Sequence, residues 1–228
     1  MVAANITCFT CQGSKNKRCK DVAYFKETED IGIFSLADGL NSQKYSDVGA
    51  RIVQKALAEN ILNLKEKFWE NTREQNQMMG IRTIKEVLDH LAKEEKPRDQ
   101  YASTLMLVAV NAETKYAVWY HLGDGMLLKK SGDGKLEILS HPQNGITRQY
   151  TYTTANGELM RYLRTESVSL AEGDSLIMMT DGAMKPFYQG RRLTARGEKI
   201  ISRGEQAIFE ALQKLEPADD YSMLEVKF

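Results

Sequence analysis

Two apolar runs in this chain end in Asp-Gly, and the chain turns after each: Phe34-Ser35-Leu36-Ala37-Asp38-Gly39 and Ile177-Met178-Met179-Thr180-Asp181-Gly182. A third acidic site, Asp219-Asp220, opens the last apolar segment, Met223 to Phe228, and a fourth carboxylate, Asp124, lies in Leu122-Gly123-Asp124-Gly125 after Tyr116 to Tyr120. Carboxylates at strand ends can meet in space although far apart in sequence. Once together they repel unless a cation lies between them, and an all-oxygen ligand set suits a hard ion such as Mg²⁺ or Mn²⁺. Asp-Gly is also a strong hairpin signal. That reading competes at Asp124-Gly125, where a strand follows directly. It is weaker at Asp38-Gly39 and Asp181-Gly182, where none does. A glycine after a ligand aspartate has a further use, because its backbone carbonyl can approach an ion closely.

These residues must be positioned by regular elements. Asn5 to Gln12, Asp21 to Phe25 and Ile31 to Ala37 read as strands. Ser46 can cap a helix running to about Phe68, with Val48, Ile52, Val53, Ala56, Leu57, Ile61 and Leu64 at helical spacing. A second helix is predicted over Met78 to Lys93. Strands follow at Ala102 to Val110, Lys115 to Leu122, Met126 to Lys130, Leu136 to Leu139, Glu166 to Leu170 and Ser175 to Thr180. A helix over Ile200 to Leu215 and a strand over Ser222 to Phe228 close the chain, while Asn144 to Asn156 shows no assignable period. The pattern indicates an α+β class with mostly antiparallel sheets, two tandem helices on one sheet and the last helix on another.

Composition limits the function. The 228 residues are 42% hydrophobic, enough for one domain over 1–228 with a sizeable core. The 31 basic and 31 acidic residues balance, so neither a nucleic-acid partner nor an acidic tail is indicated. Three cysteines make a disulfide framework improbable and a reducing, cytoplasmic location the simpler expectation. There is no signal-peptide pattern and no apolar run of about 20 residues, so no membrane partner is expected. Cys8 and Cys11, three apart in a strand, point to opposite faces and make a poor zinc pair. His121 reads as a hydrogen-bonded strand histidine, with the metal edge as its alternative, and His90 and His141 read as surface residues.

Taken in order, Cys19-Lys20-Asp21, Leu36-Ala37-Asp38-Gly39, Ser46-Asp47-Val48-Gly49-Ala50, Ala102-Ser103-Thr104-Leu105, Leu122-Gly123-Asp124-Gly125, Met179-Thr180-Asp181-Gly182 and Asp219-Asp220-Tyr221-Ser222 resemble the metal-dependent protein phosphatase 2C family, particularly its compact bacterial branch. The resemblance spans nearly the whole chain. It implies two antiparallel β-sheets packed as a sandwich with helices on the outer faces, and a metal cluster at one end. By residue match, Asp38 would bridge two Mn²⁺ or Mg²⁺ ions, with the Gly39 carbonyl on one of them. Asp181 and Asp219 would hold the other, and Asp124 would bind a weaker third ion beside Asp181. Asp21 would orient metal-bound water from just outside. The implied reaction is hydrolysis of phosphoserine and phosphothreonine on a phosphorylated protein substrate, by metal-activated water and without a phosphoenzyme; Asp38 and Asp181 would be the catalytic centre. A cognate serine/threonine kinase is the implied partner.

The chain also departs from that family. Asn16 stands where many relatives carry an arginine that grips phosphate, so Lys17 or Arg18 would have to substitute. Lys20 replaces an acid before Asp21, and Leu40 stands where some relatives carry a histidine able to act as general acid. Lys185, Arg191, Arg192 and Arg196 occupy the place of a flap over the site, where they could attract phosphopeptide or simply be solvated. Asn16 and Lys20 keep open a second reading, a catalytically inactive phosphatase-like binding module. A two-metal nuclease is a third, opposed by the charge balance.

Overall fold

The computed structural model describes residues 2–94, 96–144 and 151–228. Strands β1 (Asn5–Cys11), β2 (Val22–Glu27) and β3 (Ile31–Ala37) precede a helical stretch of α1 (Ser46–Leu64), α2 (Glu66–Glu70) and α3 (Arg73–Glu94). Then come β4 (Leu105–Asn111), β5 (Tyr116–Leu122), β6 (Met126–Lys130), β7 (Leu136–Ser140), the single turn α4 (Leu159–Tyr162), β8 (Arg164–Ser169) and β9 (Ser175–Met179). The chain finishes with α5 (Asp181–Met184), the two-residue strands β10 (Tyr188–Gln189) and β11 (Arg192–Leu193), α6 (Ala195–Ile201), α7 (Glu205–Leu215) and β12 (Tyr221–Lys227).

Two five-stranded sheets form, ordered β1-β12-β9-β6-β7 and β2-β3-β4-β5-β8, and all their pairings are antiparallel. The class is α+β, a β-sandwich with helices outside. Alternation along the strands explains the layers. In β4, Met106, Val108 and Val110 join Phe34, Leu36, Met178, Leu224 and Val226 between the sheets. Their neighbours Leu105, Leu107 and Ala109 face the other way, against Val53, Leu57 and Ile61 of α1 and Ile84 and Leu88 of α3. On the second sheet Met126, Leu128, Ile177 and Met223 pack under Ile208 and Leu212 of α7. Both faces of the central strands are therefore covered, so they read as continuous apolar runs rather than alternating ones. Leu57 and Ile61 are fully buried, and each contributes about 1.5–3 kcal/mol by leaving water.

The helices differ from the sequence expectation at three places. The first helix stops at Leu64 because Lys65 adopts φ 49°, and α2 follows. Phe68 is still buried and remains in helical phase with Ile61, so periodicity gave no sign of the break. The second helix starts at Arg73, not Met78, through a capping box: Thr72 N donates to Gln75 Oε1 (2.8 Å) and Gln75 N donates to Thr72 Oγ1 (3.2 Å). The helix expected over Ile200 to Leu215 is two helices, parted at Gly204 with φ 91°. Residues 145–150, in the stretch without a period, lie outside the described residues. No described helix is long and apolar enough to cross a membrane.

Candidate metal centre

The strand registers bring the acidic residues to one end of the sandwich. Val22 pairs with Ala37, Leu36 with Met106 and Leu105 with Leu122, so Asp21, Asp38 and Asp124 leave one sheet at the same end. Met126 and Met223 both pair with Met179, which places Asp124, Asp181 and Asp219 together at the end of the other sheet. Gly123-Asp124-Gly125 is thus no hairpin. It carries the chain from β5 in one sheet to β6 in the other, turning at Gly123 with φ 111°.

Backbone contacts hold each acid. Asp38 N donates to Thr104 Oγ1 (2.8 Å) and Thr104 N returns a bond to Asp38 O (2.8 Å). Residues 102–104 therefore do not begin the strand expected from Ala102; they clamp the Asp38 loop instead, with Leu40 N on Ala102 O (3.2 Å). Asp181 opens α5, and Gly182 is required there because a Cβ would come within 2.1 Å of Asp220 O. Gly39 is as constrained, with Lys20 O 2.9 Å from where a Cβ would lie.

Asp38, Asp124 and Asp181 each offer one oxygen, and these oxygens lie within 4.8 Å of one another. Asp38 keeps an edge open to solvent. Burial raises its pKa well above the usual carboxylate range, and the neighbouring Asp21, Asp181, Asp124 and Asp219 push it further. Asp124 rises to about 6 through burial and then Asp181. Asp181 is also raised, by burial first, although Lys185 opposes the shift. Asp21 is buried and reaches about 7, burial outweighing its bonds from Ser222 and Thr180. Asp181 Oδ1 and Asp21 Oδ1 are buried and have no hydrogen-bond partner among the described residues. Unpartnered buried carboxylate oxygens and mutual repulsion are the condition a hard divalent cation relieves, so these residues fit Mg²⁺ or Mn²⁺.

Asp219 stands outside that trio. Its Oδ1 accepts from Asn41 Nδ2 (2.8 Å), Asn16 Nδ2 (3.2 Å) and Asp220 N (3.0 Å), yet it is near enough to raise Asp38 and Asp181. Asp220, which the acidic pair did not single out, is the architectural member. It is buried and accepts from Gly13 N (2.9 Å), Asn16 Nδ2 (2.8 Å) and Lys20 N (2.8 Å), tying the N-terminal loop to the last strand. Thr180 Oγ1 donates to Asp21 Oδ2 (2.9 Å) and accepts from Ser222 N (2.9 Å). Neither role has a local sequence signal beyond the acidic pair and the threonine before Asp181.

The basic residues divide sharply. Asn16 holds Asp219 and Asp220, while Arg18 makes a two-bond pair with Asp47 (2.8 and 2.9 Å) and reaches Lys44 O (3.1 Å). Lys17 is exposed. Lys20 is buried, its ammonium donating to the carbonyls of Asn41 (3.1 Å), Leu40 (3.4 Å) and Gln43. Of the four flap cations, Lys185 reaches the cluster and pairs with Asp181 Oδ2; Arg191, Arg192 and Arg196 are exposed. His121 is buried away from the acids, on Ser140 Oγ (2.7 Å) and Arg164 Nη2 (2.9 Å); burial and then Arg164 keep it well below the usual histidine range. His141 is not a surface residue but half-buried, bonded to Tyr188 OH (2.8 Å).

Comparison with known proteins places this arrangement. Residues 12–217 match the family described as protein phosphatase 2C. No curated protein matches the sequence. Among solved structures, the fold is similar to a serine/threonine phosphatase of S. agalactiae, with TM-score 0.70, 14% identity, and 98% of each chain covered. It is also similar to PppA, a regulatory component of T6SS in Pseudomonas aeruginosa, with TM-score 0.69 and 16% identity over 98% of this chain and 96% of that one. A third similar structure is RsbX in complex with magnesium, with TM-score 0.62 and 14% identity over 97% and 94%.

Proposed function

The chain belongs to the protein phosphatase 2C family, and we propose that it hydrolyses phosphoserine and phosphothreonine on proteins with Mg²⁺ or Mn²⁺. The observation that carries this reading is the convergence of Asp38, Asp124 and Asp181, from three strand ends in two sheets, to within 4.8 Å. Divalent ions held there by Asp38, Asp124 and Asp181 would lower the pKa of water so that a hydroxide nucleophile is available near neutral pH, and would offset the charge of the phosphoryl oxygens. Asp38, whose pKa is raised by Asp21, Asp181, Asp124 and Asp219 together, would contact more than one ion, with the Gly39 carbonyl beside it. Asp181 and Asp124 would supply further oxygens, and Asp219, near enough to raise the pKa values of Asp38 and Asp181, would join them. Asp21, with one unpartnered oxygen, is placed to hold a water by hydrogen bond. Leu40 carries no proton, so the leaving alkoxide takes its proton from solvent. No residue is required to form a covalent phosphoenzyme. A phosphorylated protein is the substrate class, a serine/threonine kinase the enzyme that would make it, and the cytoplasm the expected location.

The test is hydrolysis of p-nitrophenyl phosphate and of a phosphothreonine peptide with Mn²⁺. Asp38→Asn and Asp181→Asn are expected to lower the rate at least about 100-fold, the scale of the several kcal/mol a catalytic ion contributes. Absence of turnover by a folded, Mn²⁺-loaded wild-type protein would refute the enzyme. That outcome would favour the second reading, a catalytically inactive phosphatase-like binding module. Its specific support is that Arg18 is engaged by Asp47 and that Asn16, engaged by Asp219 and Asp220, stands where many relatives carry a phosphate-gripping arginine.

A further inference from the structure

A cleft of about 780 Å³ opens beside the acidic cluster. Five of its nine lining residues are Lys15, Lys17, Arg18, Lys20 and Lys44, and none is acidic. The chain as a whole carries no net charge, so this is a local concentration of positive potential. Asn16 and Asn41 also line the cleft, and both donate to Asp219, so its inner end lies against the acid that borders the Asp38–Asp124–Asp181 cluster.

Two of the five cations are already committed. Arg18 is held by Asp47, and Lys20 by three backbone carbonyls. Lys15, Lys17 and Lys44 pair with no carboxylate among the described residues. Their supports are nevertheless fixed. Ser14 N donates to Pro217 O (3.0 Å) and Lys15 N to Ala218 O (3.1 Å), which pins the loop carrying Lys15 and Lys17. Lys44 lies 5.0 Å over the ring of Tyr45, which stacks in turn on Tyr101. Val48, 40% exposed, adds an apolar patch on which an extended backbone can rest.

Cations presented on an anchored rim and paired with no carboxylate among the described residues complement an anionic ligand. We propose that this cleft selects phosphoprotein segments carrying acidic residues beside the phosphorylated serine or threonine. The proposal rests on the phosphatase reading for the phosphoryl position and adds the class of sequence around it. Acidic side chains two or three residues from the phosphate would meet Lys15 and Lys44 while Tyr45 and Val48 support the backbone between them.

The experiment compares three phosphothreonine peptides differing only in flanks of Glu, Ala or Lys, using the full chain with Mn²⁺. Each exposed pair adds a fraction of a kcal/mol, so two or three pairs give about tenfold. The Glu-flanked peptide is expected to exceed the Lys-flanked one by that factor in kcat/KM, and the preference to shrink as salt rises. Lys15→Glu combined with Lys44→Glu should abolish or invert the preference while p-nitrophenyl phosphate turnover is unchanged. Equal kcat/KM for the three flanks, or a preference that survives the double charge reversal, would overturn the proposal. If the wild-type chain hydrolyses nothing, the phosphatase reading fails, and fluorescence anisotropy of the same labelled peptides still decides this one by the same ranking. A single-stranded RNA of equal charge binding as tightly as the Glu-flanked peptide would reassign the cleft to nucleic acid.

Discussion

Two lysines lie at the acidic end of the sandwich, and their partners give them opposite roles. Lys20 is buried and donates to three carbonyls of the loop after Asp38-Gly39, while its own N–H is held by Asp220. Its charge is spent on loop carbonyls, none of them one of the clustered carboxylates. Lys185 leaves 60% of its side chain exposed and pairs with Asp181, one of the three clustered carboxylates. An ion arriving at that cluster has no claim on the carbonyls around Lys20, but it competes directly with Lys185. The sign of a charge near a metal site therefore says less than the identity of the atoms that already hold it.

The largest effect should come from breaking the buried side of this pair. Lys20→Met removes a donor from three carbonyls; Leu40 O keeps Gln43 N and Ser46 Oγ, Gln43 O keeps Ser46 Oγ, and Asn41 O is left without another side-chain donor among the described residues. At about 1–3 kcal/mol for a buried group left unsatisfied, a loss of about 1–3 kcal/mol of stability is expected. Thermal unfolding measures it, and an unchanged Tm would show that the Leu40–Gln43 loop does not depend on the ammonium.

A middle-sized effect concerns the acids between the two lysines. Asp124 and Asp21 have pKa values of about 6 and about 7 in the fold, against an ordinary 3.8. Between about pH 4 and 7 the folded protein thus binds more protons than the unfolded chain, so the metal-free protein should lose stability as pH rises through that window. Mn²⁺ needs the ionised carboxylates, so it should raise Tm more at pH 7.5 than at pH 5. A Mn²⁺-induced shift in Tm that is equal at both pH values would contradict the grouping of these acids.

The smallest effect belongs to the exposed side. Burial alone would lower the Lys185 pKa, but Asp181, with Asp124 and Asp219, reverses this and the net shift is upward. Solvent screening keeps such a half-exposed pair at or below about 1 kcal/mol. Lys185→Met should therefore tighten Mn²⁺ binding by about two- to fivefold, read by calorimetry, with little change in fold stability. Weaker binding would mean that Lys185 helps to assemble the centre rather than competing for it.

The fold was largely legible because its signals are local. The unbroken apolar run Leu105 to Val110 marks a strand covered on both faces, and the helical phase of Val53, Leu57 and Ile61 marks the helix face, without any long-range information. The misses were also local in origin. One left-handed residue at Lys65 breaks a helix whose apolar phase continues to Phe68, and the Thr72–Gln75 capping box went unread. The candidate site was legible as residue types at strand ends. Asp124 shows the limit, since a turn and a ligand are written the same way; its segment turns the chain between sheets and its carboxylate joins Asp38 and Asp181.

By itself the sequence determined the element types, the α+β class and the set of acids at strand ends, since each follows from periodicity and composition within a few residues. Only the tertiary structure decided which acids share an ion-sized space and which of Asp219 and Asp220 is architectural. It also decided that Lys20 is spent on carbonyls while Lys185 contests a ligand. The reason is physical: strand register sets those distances across separations of up to 207 residues, and nothing in a local window encodes what lies on the far side of a sheet.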